Sequence, residues 1–171
     1  MKPLLPILIL LLLPIFLYAE TGDLVDVIAE SEIEHMGTGL QGWTDQQEIE
    51  KLSGIKLDDG YVKKLYQEFK SVIVTPPNSD TYTEYKIENG EKALGKTEEL
   101  GRKLHNLLMA LSDEDFEKYA NLIAGMRELL YIDAQHIPLA VKGDNSRDVY
   151  WYMRHNSALE KIEQEYLRLF E

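Results

Sequence analysis

The sequence predicts an all-α fold, a helical bundle of about five or six helices after an N-terminal signal peptide. Three observations carry this. Apolar residues recur at helical spacing, most regularly in Val62, Leu65, Tyr66, Phe69, Val72 and Ile73. Capping residues, glycines and prolines punctuate the chain at helix-length intervals. No run after the first twenty residues reads as a buried parallel strand.

The N-terminus sets the expected compartment. Met1-Lys2 is followed by an uncharged apolar run, Leu4 to Leu17, interrupted by Pro6 and Pro14. Tyr18-Ala19-Glu20 closes it with a small residue where a signal peptidase cuts. The run is shorter than the ~20 residues a membrane-spanning helix needs. The reading is a signal peptide over 1–19, or an uncleaved anchor, placing the remainder in a secreted or periplasmic location. No membrane span is expected in the mature form.

Elements follow in order. Asp23 to Met36 is a weakly amphipathic helix among acids. Thr44 and Gln47 fit a capping box, opening a short helix with Ile49 and Leu52 that stops at Gly54. Asp58-Asp59-Gly60 is a turn before the regular helix from Val62, which Pro76-Pro77 end. Residues 80–111 read as one long helix, with a hairpin at Asn89-Gly90 as the alternative. Ile87, Leu94, Gly101 and Leu108 form a seven-residue seam, interleaved with Gly90, Thr97, Leu104 and Leu111. Its small residues would let a neighbouring helix approach.

Ser112-Asp113-Glu114-Asp115 caps the next helix with acids in its first turn. Phe116, Tyr119, Ala120, Ile123, Met126 and Leu130 line one face, and the helix is expected to fray near Ile132, with Pro138 preventing continuation. Gly143-Asp144-Asn145-Ser146 opens the last helix. Its expected apolar face includes Val149, Tyr152, Met153, Leu159, Ile162, Tyr166 and Leu169. Three segments result: the signal, 1–19; acidic N-terminal helices with a Gly-rich linker, 20–60; and the bundle core, 61–171. Residues 20–171 are long enough for one domain with a core.

Composition narrows function. There is no cysteine, which excludes disulfides, a lipidated cleavage site and thiolate zinc sites. Net charge is −12, concentrated in residues 20–60, where eleven acids face only Lys51 and Lys56. Such a field repels phosphate backbones, so no nucleic-acid partner is expected, and it favours encounter with a cationic protein.

Several motifs look like chemistry. Gly37-Thr38-Gly39-Leu40-Gln41-Gly42 spells a dinucleotide-binding turn, with Asp58 and Asp59 about 20 residues on. The preceding Glu32-Ile33-Glu34-His35 is too charged for a central strand, and Asp45 would repel pyrophosphate at the helix start. No cofactor is expected. Glu32-x-x-His35 and Asp133-x-x-His136 have a spacing used in di-iron carboxylate bundles. With thirty acids such pairs arise by chance, and no metal is expected. Asp144-x-Ser146-x-Asp148 starts like a calcium loop, but Val149 and His155 occupy the places of its glycine and glutamate. There is no nucleophile elbow.

Tyr150-Trp151-Tyr152-Met153-Arg154-His155 spreads three aromatics around the last helix, more than one stripe absorbs. Tyr152 and Met153 are expected to face inward. Tyr150, Trp151, Arg154 and His155, with Trp43 on the linker, are then the candidate binding residues. The composition favours an exported acidic helical binding or interaction protein, its partner a cationic protein or a small ligand. The alternatives are a periplasmic enzyme or carboxylate/His metal protein, and a structural envelope-associated protein.

Overall fold

Five helices run through the described residues, with no strand among them: α1 (Gln46–Leu52), α2 (Asp59–Val72), α3 (Ser79–Ala110), α4 (Asp113–Val141) and α5 (Asp148–Phe170). The structure, a computed structural model, describes residues 40–73, 79–144 and 146–171. The expected signal, the expected helix 23–36, Gly37, Gly39 and the Glu32–His35 pair lie outside the described residues. Trp43–Glu171 form one unit, and the description below concerns it.

The bundle is laid on α4. Ser112 caps it: its hydroxyl accepts from the Asp115 N–H (3.2 Å) and donates to the Asp115 carboxylate (3.0 Å). Buried Asp115 also accepts from the Leu57 N–H (3.3 Å), tying the loop before α2 to the start of α4. More than half of the 29 residues of α4 are buried, including Leu122, Ile123, Met126, Leu129 and Leu130. A helix apolar on most sides belongs in the middle. The expected fraying at Ile132 does not occur, and α4 continues through Pro138 to Val141. Proline removes one intrahelical hydrogen bond, but Ile132, Ala134, His136, Ile137 and Ala140 are all buried around it, so packing holds the last turns.

The other helices each bury one face against this centre. On α2 Val62, Leu65 and Phe69 are buried. Asp58, read as a turn residue, is its N-cap and accepts from the Tyr61 N–H at 2.7 Å. Asp59 then accepts from the Tyr119 hydroxyl (2.6 Å) and Lys118 Nζ (2.8 Å) on α4. At the far end Tyr66 stacks on Tyr166 of α5, ring centroids 3.9 Å apart.

The long helix read over 80–111 runs over Ser79–Ala110, with a bend. Gly90 sits at φ 29°, ψ −117°, a left-handed backbone that a side chain resists. Beyond it Thr97, Leu100, Leu104, Leu107 and Leu108 are buried. On the small-residue seam Gly90 does face the neighbouring helix, a Cβ there lying 3.4 Å from Val141 of α4, while Gly101 has another use. Gly101 is covered by a side chain rather than a helix: a Cβ there would lie 2.5 Å from Cη2 and Cζ3 of Trp43.

Two capping expectations are corrected. The N-cap of α1 is Asp45, which accepts from the N–H groups of Gln47 (2.9 Å) and Glu48 (3.2 Å); the Thr44 hydroxyl lies against His105 instead. Asp144 caps a turn, accepting from the Ser146 N–H (3.2 Å) and hydroxyl (2.7 Å), and α5 starts later, at Asp148, with no side-chain cap.

Candidate functional site

The last helix turns out to be rotated from its expected setting. Leu159 and Ile162 are its buried apolar anchors, and stepping back one turn from Leu159 reaches His155, which is fully buried. Met153 is 65% exposed and Val149 62% exposed. The expectation that Met153 faces inward and His155 outward is therefore reversed. The reason is a polar core: Nδ1 of His155 lies 3.0 Å from Oδ1 of buried Asp133, so the inward position at this level holds a hydrogen-bonded imidazole.

A second pair lies nearby on the same two helices. His136, also fully buried, places Nε2 3.3 Å from Oδ1 of Asp148 at the start of α5. Asp133 and His136 do share a helical face, as their spacing implied. Each engages a different residue of α5, and no group of three or more potential metal ligands occurs among the described residues.

The aromatic residues build outward from His136. Trp151, half-buried, stacks on its imidazole at 5.7 Å and 25° between planes. Tyr150 meets Trp151 edge-on at 5.4 Å. Arg154 donates from Nη1 to the Tyr150 hydroxyl (3.1 Å), with its guanidinium 5.7 Å from the Tyr150 ring centre. Of the five candidate residues, the structure thus joins Tyr150, Trp151 and Arg154 in one layered ridge, and puts His155 in the core. Trp43 is elsewhere. It is 7% exposed, packed on Gly101 and edge-on to Tyr131 at 5.5 Å. Trp43, Thr44 and Asp45 are docked on α3 and α4 and do not cover the ridge.

Sequence reasoning missed the cluster behind Trp43. Thr44 Oγ1 lies 3.0 Å from Nε2 of buried His105. The Asp45 N–H donates to Oδ1 of Asn106 (2.9 Å), and Asn106 Nδ2 donates to Glu48 (3.0 Å). Buried polar residues at consecutive positions of a helix, His105-Asn106 between leucines, were the available signal. Burial, and secondarily the nearby Arg127 cation, push the His105 imidazole down from 6.5 to about 4.

This has a consequence for stability. Between pH 6.5 and about 4 the unfolded chain takes up a proton at His105 that the folded chain refuses. The stabilising difference is complete above 6.5 and is lost as pH falls toward the folded value, reaching on the order of 3 kcal/mol. Urea denaturation at pH 7 and pH 4.5 should show His105→Gln losing less stability on acidification than the natural chain. Equal losses would remove His105 as the cause.

A cleft of about 650 Å³ opens between α1, α2 and α3, lined among others by Glu48, Glu68, Lys96, Glu99 and Lys103. Its charges are of both signs, and Lys103 bridges to Glu68 at 2.7 Å. None of the candidate residues lines it. No family model, curated protein or solved structure matches this chain.

Proposed function

We propose that this protein is an exported, acidic interaction module that docks a cationic protein on the α4–α5 corner. The observation that carries the reading is the pairing of Val149 and Met153, both more than 60% exposed, with the Tyr150–Trp151–Arg154 ridge on the same turns of α5. Exposed Val141 lies at the same end of the helix pair. Large apolar side chains left in water beside aromatics already held by stacking are what an interface anchor needs, because little side-chain freedom remains to be lost on binding. The net charge of −12 supplies steering toward a basic partner. The two histidine–carboxylate pairs favour a packing role over acid–base catalysis, since both imidazoles are closed off from solvent.

Met153→Glu is the cleanest probe, since its side chain is largely in water and contributes little to folding. We expect an unchanged thermal melt and a loss of captured basic protein from the exported fraction. Capture by the natural chain should weaken with salt, as charge-steered association does. An unchanged melt with undiminished, salt-insensitive capture would refute the proposal.

A further inference from the structure

The Trp43 ring spans two helices, touching Gly101 on α3 and Tyr131 on α4. His105 follows Gly101 by one turn, and Arg127 precedes Tyr131 by one turn. In an antiparallel pair both steps run the same way along the axis, so His105 and Arg127 occupy the next layer together. The lowering of His105 by the charge of Arg127 agrees with that placement. Thr44, adjacent to Trp43, closes the layer through its contact with His105 Nε2.

This layer carries uncompensated polarity. Nε of Arg127 and Nδ1 of His105 are both buried and meet no hydrogen-bond partner. No carboxylate forms an ion pair with Arg127 among the described residues, and Glu128, its neighbour in sequence, acts on it only through space. A buried N–H without an acceptor is costly, and native structures rarely keep one without use. Arg127 is not sealed, since it retains partial exposure.

We infer that Arg127 and His105 form a binding site for a single carboxylate group of a small organic acid, behind the Trp43 turn. One carboxylate supplies two acceptor oxygens for the two unmet donors, Arg127 Nε–H and His105 Nδ1–H. The Thr44 hydroxyl accommodates this by donating to Nε2, which leaves the imidazole proton on Nδ1. A phosphate fits less well: one guanidinium and one neutral imidazole do not offset two negative charges in a chain already at −12. The site is independent of the α4–α5 corner, and its failure would leave that proposal standing.

The probe is acetate at pH 7, titrated against chloride at constant ionic strength. Acetate is expected to raise the melting temperature in a saturable way, since a ligand that binds only the folded chain stabilises it by mass action. It should also shift the ring signals of His105 selectively among the four histidines in the NMR spectrum, and raise the pH at which His105 titrates. Arg127→Met should fold at least as well as the natural chain, because an unmet buried N–H is gone, and should bind acetate at least tenfold more weakly. No shift in the His105 signals of the natural chain up to about 100 mM acetate, many times a useful dissociation constant, would overturn the inference. So would an equal response in Arg127→Met. An equal response to phosphate would overturn the carboxylate assignment.

Discussion

Trp43→Ala is expected to destabilise the folded chain by about 3–5 kcal/mol, the range for truncating a fully buried large aromatic. The ring is 7% exposed, pressed on the bare backbone of Gly101 and edge-on to Tyr131, so its removal opens a cavity between α3 and α4. Gly101→Val should reproduce much of the loss from the other side. A Cβ at Gly101 would stand 2.5 Å from two ring carbons, and the indole, held by Tyr131, has to leave. Fluorescence separates this from general unfolding. In a Trp151→Phe background Trp43 is the single tryptophan, and Gly101→Val should shift its emission toward that of solvated indole below the unfolding transition. A Trp43→Ala cost under about 1 kcal/mol would mean the ring is not part of the core.

The second large effect is expected at the buried pair. Asp133→Ala removes the carboxylate that His155 Nδ1 meets at 3.0 Å and should cost on the order of 3 kcal/mol in urea denaturation. Asp133→Leu with His155→Phe should recover a large part of that, because two apolar groups satisfy each other where a lone polar one cannot. A double-mutant cycle reads the coupling directly. Losses that simply add would show that the two side chains do not stabilise one another, and that the pair is not what sets the rotation of α5.

The difference between what could and could not be read in the sequence has a physical origin. The helices of 59–72 and 113–130 are legible because apolar residues recur in both at helical spacing, and Ser112 marks the cap of the second. Pro138 misled because proline's local cost is fixed, while the packing that offsets it, through His136, Ile137 and Ala140, is tertiary. The face of α5 was misjudged for a related reason. Hydrophobicity favours Met153 over His155, yet the phase set by Leu159 and Ile162 selects His155, and Asp133 on another helix helps make a buried imidazole acceptable there. Tyr150, Trp151 and Arg154 do come together, because their spacing is local to one helix. The His105–Arg127 layer needed the pairing of α3 with α4, and its only local trace was polar residues inside a leucine run.

The first helix contributes no buried side chain of its own. Its attachment is carried by Trp43 and by the bonds of Thr44, Asp45 and Glu48 to residues some sixty positions away on α3. With none of its own residues buried, the helix opens locally at a smaller free energy than global unfolding. Its amides should exchange with solvent hydrogen ahead of those in α4. The contact of Thr44 with His105 Nε2 belongs to the same attachment, so an opening that reaches Thr44 also uncovers one edge of that imidazole.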